Sequence, residues 1–439
     1  MRGLRAAHRM FLLHMRWRLL VALLALLSWS DALAQLPSAE PPEVKAPAPE
    51  TGLSRWFNPA TAPFIPVPLI GADPDSGTTL GILPTWIITN ENADITRIIA
   101  PDINHNPNFG WGAHGRIFAY PSEDEQWSVM AGLKQRVERE FDGEFQYGRA
   151  RRKRWSFNAS IIYDRDGTPR FFGLGNRSAQ SAETNYTSEQ EVVQLQAGYN
   201  ISKIWQILYT ARARQVDVQP GTLAGVPSIQ ELFPNQRGIG RFREALNRIS
   251  LVYNTMDDLT VPSHGMKLVE YTGIASRAGL FNDSLYTEAG FDGRGFFPVG
   301  KQTVIAAHLA LRYLLSAKDV PFWALSSLGG DQSEIGGEQL LRGFGAGRYY
   351  DRNSLSMSAE VRRHIVSFNA VSTHVDLEIA PFVDLGRVFG RLSTMPFDGL
   401  HHVYGIGFRG IAKPFVVGYV DVGYGSNGVA VFTGISYPF

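Results

Sequence analysis

A chain of 439 residues with a formal net charge of +1 carries no overall field for polyanions, and nothing in its charge points to nucleic acid. It has no cysteine, which excludes disulfides and thiolate chemistry, whether metal-bound or nucleophilic. The length suits about two or three ordinary domains, or one large β-structure.

The N-terminus is a targeting segment. Arg2, Arg5, Arg9, Arg16 and Arg18 precede an apolar run from Leu19 to Trp29, and Ala32-Leu33-Ala34 is a small-x-small site before Gln35. Basic, apolar and cleavage regions in that order predict a secretory signal peptide over residues 1–34, with Met10 and Met15 as alternative starts. The apolar run is far shorter than the ~20 residues of a spanning helix, which argues against an anchor. Residues 37–74 hold ten of the 25 prolines. They predict a Pro-rich periplasmic linker over 35–76, too short for a domain of its own.

From Gly77 onward the chain reads as strands and turns, rich in Val, Ile, Tyr, Phe, Trp and Gly. Eleven segments are expected first, at 77–89, 93–100, 110–120, 125–138, 153–164, 187–200, 203–218, 245–256, 266–276, 284–296 and 302–314. Five more follow at 354–364, 373–386, 402–412, 415–424 and 429–439, giving about sixteen. Several alternate strictly. In 302–314, Ala307, Leu309, Leu311 and Tyr313 oppose His308, Ala310 and Arg312. In 373–386, Val375, Leu377, Ile379, Val383 and Leu385 oppose Asp376, Glu378, Ala380, Phe382, Asp384 and Gly386. In the last segment Val429, Val431, Thr433, Ile435, Tyr437 and Phe439 share a face.

Strands near the ~10 residues needed to cross a bilayer at a tilt, in a chain 12% aromatic, predict an all-β fold, a transmembrane antiparallel β-barrel at 77–439. Loop lengths agree. With the N-terminus in the periplasm, the long gaps 165–186, 219–244, 315–353 and 387–401 all fall outside, and the short 201–202 and 413–414 fall inside. The gap 139–152 breaks this rule. A barrel of this size leaves a lumen unless something fills it, and the long outer loop 315–353 is the expected plug.

That loop carries "LLRGF" at 340–344, followed by "SAEVR" at 358–362 and "FVDLG" at 382–386. This order resembles the bacterial surface antigen superfamily, the outer-membrane barrels of BamA, TamA and FhaC type. The resemblance implies that the loop folds into the lumen and that its arginine meets acids on the next two strands. The matching positions are Arg342, Gly343 and Phe344 on the loop, with Glu360 and Asp384 on the strands. It also implies a role in inserting proteins into, or translocating them across, the outer membrane. The residues 35–76 leave no room for periplasmic polypeptide-transport-associated domains, and the chain is similar to short members built of the barrel alone.

The chemistry of the residues supports the lock. A guanidinium held by two carboxylates satisfies the rule that buried charges are paired, and Gly343, Gly345 and Gly347 permit tight turns near the wall. Asp376 and Glu378 share the face of Asp384 and add to the negative charge awaiting a cation. The terminal "TGISYPF" resembles the signal read by the outer-membrane assembly machinery, with Thr433, Gly434, Tyr437 and Phe439 in its key places. Pro438 should lie at the very end of the strand or on its unpaired side.

Little points to catalysis. The sequence holds no G-x-S-x-G, H-E-x-x-H or Walker lysine, so no enzyme, metal or cofactor is implied. His401 and His402 read as solvated neighbours on opposite faces. "RARRKR" at 149–154 reads as a wet turn or a contact for lipid phosphates or lipopolysaccharide. The expected partners are outer-membrane lipid and lipopolysaccharide, the assembly machinery and client polypeptides. A passive pore or transporter for small solutes or lipids is the alternative.

Overall fold

The alternation read in the sequence becomes one continuous wall. The computed structural model describes residues 64–91, 95–122, 124–276, 283–370, 373–391, 396–412, 416–435 and 437–439. The signal peptide and residues 35–63 of the expected linker lie outside them. The wall begins with β1 Ile65–Asp73, β2 Gly77–Thr89, β3 (interrupted, Ile95–Ile99 and Asp102–Asn106), β4 Gly110–Ser122, β5 Glu125–Lys134 and β6 Arg139–Tyr147. It continues with β7 Trp155–Asp166, β8 Thr184–Asn200, β9 Trp205–Pro220, β10 Gly240–Asn254, β11 Gly265–Ala275 and β12 Leu285–Pro298. Last come β13 Thr303–Lys318, β14 Asn353–Ala370, β15 Thr373–Phe389, β16 His401–Ala412, β17 Val416–Gly425 and β18 Gly428–Ile435.

Each strand pairs antiparallel with its neighbour in sequence, and β1 returns to β18 at Ala72 and Val431. Among the described residues this is a closed antiparallel barrel of eighteen strands, where the sequence predicted about sixteen. The first extra strand, β1, lies inside the expected Pro-rich linker. Pro66 and Pro68 disguise it, yet it pairs with β2 over nine registered positions from Ile65–Thr85 to Asp73–Gly77. Proline is tolerated there because, among the described residues, β1 meets β18 at a single registered pair and is otherwise close to an edge strand.

The second extra strand is β6, in the gap 139–152 that broke the loop rule. Phe141 and Phe145 point outward while Glu140, Asp142, Glu144 and Gln146 point into the lumen, and so many charges read as a loop. With both strands restored, the rule holds throughout. Turns after odd strands share one end and include the long 167–183, 221–239 and 319–352; turns after even strands are short, the longest being 255–264.

The wall is inside out relative to a soluble protein. On β8, Val193 and Leu195 are 47% and 56% exposed on the outer face, while Gln194 and Gln196 face the lumen. Aromatic pairs mark the short-turn end: Trp155 with Tyr199, ring centroids 5.2 Å apart, and Trp205 with Tyr253 at 4.9 Å. Such outward aromatics suit a membrane interface.

Candidate functional site

The loop between β13 and β14 packs into the lumen in layers. Phe322 and Ala324 join an apolar cluster with Phe171, Tyr186, Ile229 and Leu246 near the long-loop end. Next, Ser326–Leu328 pairs antiparallel with Tyr349–Asp351, making a short ribbon that fixes both stems of the loop. Below it, the Gly330 amide donates to the Phe344 carbonyl and the Leu341 amide to the Gly330 carbonyl, each at 3.0 Å. This tight fold presents Arg342.

Close approach to the wall requires glycine on both sides. A Cβ on Gly343 would lie 2.7 Å from the Gly425 nitrogen, and one on Gly423 would lie 2.0 Å from the Arg342 carbonyl oxygen. Leu341 and Phe344 then complete a buried cluster with Leu328, Tyr349, Phe382, Val388 and Val403. Burying each of these two loop side chains contributes about 1.5–3 kcal/mol.

Arg342 is fully buried and uses every N–H it has. Nε donates to Asp384 Oδ2 at 2.9 Å and Nη2 to Asp384 Oδ1 at 2.7 Å, a bidentate pair. Nη2 also donates to Ser358 Oγ at 3.1 Å, and Nη1 to Asp421 Oδ2 at 2.9 Å and to Glu360 Oε1. Its backbone amide adds a bond to Asp384 Oδ2 at 3.1 Å, and its guanidinium lies 3.5 Å from the centroid of the Phe382 ring. Arg342 belongs to the loop rather than a spanning strand. Burial alone lowers its pKa, but Asp384 and Glu360 more than offset this and hold it above its ordinary value.

Two further arginines complete the cluster. Arg409 on β16 pairs with both oxygens of Asp421 and, at 3.3 Å, with Glu360; Arg362 pairs with Glu360 at 3.0 Å. Three cations thus meet three carboxylates, Glu360, Asp384 and Asp421, in a buried neutral group. Sequence reading missed Arg409 and Asp421. The available signal was alternation: a charge on an apolar strand of a membrane wall has to face the lumen.

Asp376 and Glu378 do not join this group. Asp376 accepts from Ser367 Oγ at 2.6 Å and lies 3.2 Å from His374, while Glu378 accepts from the Tyr437 hydroxyl at 3.0 Å. Six residues of strand separate Glu378 from Asp384, about 20 Å of rise, so a shared face does not mean a shared site.

The C-terminus is also corrected. Thr433 pairs with Val420 and Gly434 with Tyr419, but the ladder ends at Ile435. Tyr437 and Phe439 therefore do not share the outer face of Val429 and Ile435. Phe439 turns into the lumen, where it packs with Phe296, Ala306 and Leu340 and stacks on His308 with centroids 5.2 Å apart. Arg362 lies 3.8 Å from the Tyr437 ring. Pro438, with no N–H for a ladder, follows the strand's end.

His401 is not solvated as expected. It stacks on Tyr349 of the loop at 4.0 Å, and its Nε2 lies 2.9 Å from the Asn176 carbonyl oxygen. His402, on the opposite face, packs near Tyr404 instead. The basic run 149–154 forms the short turn after β6, next to Trp155 and away from the long loops.

An eighteen-strand closed wall, apolar outside and charged within, with a loop bound in its lumen, defines a transmembrane β-barrel of the bacterial outer membrane. The Omp85 superfamily domain matches residues 125–412, and the chain belongs to that superfamily. Among solved structures it is similar to CdiB from Escherichia coli, with TM-score 0.52 and 11% identity over 85% of this chain and 67% of that one. It is also similar to BamA from Haemophilus ducreyi lacking POTRA domains 1–3, with TM-score 0.49 and 13% identity over 81% and 75% of the two chains. These likenesses are of fold. A search of curated protein sequences finds no match.

Proposed function

We propose that this protein inserts polypeptides into the outer membrane or translocates them across it, without an active site of its own. The observation that carries this reading is the seam. Neighbouring wall strands share ladders of many residues, whereas among the described residues β1 and β18 share one registered pair, Ala72 with Val431. An incompletely paired edge within a membrane wall is a template for adding another strand. In this reading Arg342, Gly343, Phe344, Glu360 and Asp384, with Arg409 and Asp421, form the lock that holds the loop in the lumen. Thr433, Gly434, Tyr437 and Phe439 serve as the assembly signal before folding, after which the tail tucks inside. A passive pore is less well supported, because the loop and its buried cluster occupy the space an open channel needs.

The chain has no cysteine, so the seam can be closed cleanly. Replacing Ala72 and Val431, which are registered partners, by cysteine places two thiols within reach of a disulfide. Oxidised, the double variant should fail to restore client proteins in a depleted strain, and reductant should rescue it. Normal client levels with a quantitatively crosslinked seam would refute the reading.

A further inference from the structure

Away from the lock, the lumen holds a cavity of about 470 Å³ bounded by β7–β12, the turn at Arg151 and the loop segment Ser333–Ile335. Its charge is one-sided. Six cations line it, Arg151, Arg212, Arg214, Arg248, Lys267 and Arg294, against one acid, Glu334. Three carboxylates stand behind them, each already shared. Glu244 serves both Arg212 and Arg214, Glu288 serves both Arg248 and Arg312, and Asp292 serves Arg294 and His308.

A second observation concerns register. Lys267 on β11 and Arg294 on β12 are direct cross-strand partners, and both face the cavity. Like charges directly opposite destabilise a sheet. Lys267 makes no ion pair among the described residues. Such a pair is maintained at a cost that Asp292, paired with Arg294 at 3.2 Å, offsets only in part and that an anion bound between them removes.

The remaining polar lining indicates what carries the anion. Gln190, Gln194, Gln196 and Gln206 face the same space, joined by Ser160, Ser250 and Thr210. Amides and hydroxyls both donate and accept, which matches a ligand rich in hydroxyl groups. Val192, Leu208 and Val269 offer apolar surface for the C–H face of a sugar ring. The volume falls in the ordinary range for a small-molecule site.

We infer that this cavity is a binding site for an acidic saccharide, a sugar bearing phosphate or carboxylate, entering from the short-turn end past Arg151. Its anionic group sits between Lys267 and Arg294, and its hydroxyls meet the glutamine row. The site goes beyond the proposed transport role and stands independently of the lock and the seam.

The test is titration of the full chain in detergent, by calorimetry at low salt, with glucose 6-phosphate, glucuronate, glucose, inorganic phosphate and tetraglutamate. Glucose 6-phosphate or glucuronate should bind at least tenfold more tightly than glucose and measurably more tightly than inorganic phosphate. Lys267→Gln should weaken the charged sugars and phosphate by roughly tenfold, the value of one charge-assisted hydrogen bond. Gln194→Ala, at a residue that makes no hydrogen bond among the described residues, should weaken the sugars and leave phosphate unchanged. Both variants are compared only after heat-modifiable migration shows that they fold. Three results would overturn the inference: tetraglutamate binding more tightly than either sugar, inorganic phosphate binding as tightly as they do, or Lys267→Gln leaving affinity unchanged.

Discussion

Arg342 shows why one side chain can govern a loop. All five of its N–H groups are satisfied, by Asp384, Glu360, Asp421 and Ser358. No other residue type offers that fork. Lysine keeps the charge but loses the bidentate geometry, so Arg342→Lys should lower stability by an intermediate amount. Arg342→Glu should be worse, because it places a fourth acid among three buried carboxylates. Removing one member of a buried pair costs about 3–5 kcal/mol, less where lumen water reaches it. Arg348 is a poor control despite lying on the same loop, since it bonds Ser178 at 2.8 Å and is itself buried. Arg352 is exposed, and Arg352→Glu should change stability by less than about 0.5 kcal/mol. Midpoints of heat-modifiable gel migration measure this order. Equal midpoints for Arg342→Glu and Arg352→Glu would show that the cluster does not hold the loop.

At the scale of elements, the tail and the loop are coupled through apolar contact. Phe439 packs on Leu340, two residues before Arg342, and on His308 of β13. Deleting Phe439 should lower the amount of inserted protein, with the remainder degraded in the periplasm, and the inserted fraction should melt earlier. Normal insertion on quantitative blotting would sink the signal reading while leaving the packing intact. Most strands were legible because lipid on one side and lumen on the other impose a period of two. That logic failed where a strand departed from it. β1 carries prolines at an incompletely paired edge, and β6 carries four polar residues on its inner face. Alternation assigned Asp376, Glu378 and Asp384 to one face correctly but said nothing of depth. It also could not show that the chain leaves the wall after Ile435. Alternation puts Arg409 and Asp421 on the lumen face, but that they meet each other and the loop depends on the register between strands, which spacing along one strand does not reveal.

In the whole molecule, a barrel that is nearly open at one seam surrounds a loop held by a neutral cluster of six buried charges. The two features lie on the same side of the wall: β18 forms the seam, its neighbour β17 carries Asp421, and the three strands before that, β14–β16, carry Glu360, Asp384 and Arg409. A strand entering at the seam would therefore act next to the lock. In the proposed function this arrangement serves polypeptides rather than small solutes. Quantitative proteomics of isolated outer membranes, taken as the protein is depleted, tests it most directly. A defined set of outer-membrane or exported proteins should fall before growth slows, and wild type but not the oxidised seam variant should restore them. An unchanged outer-membrane proteome, with altered uptake or efflux of a small solute as the only effect, would contradict it.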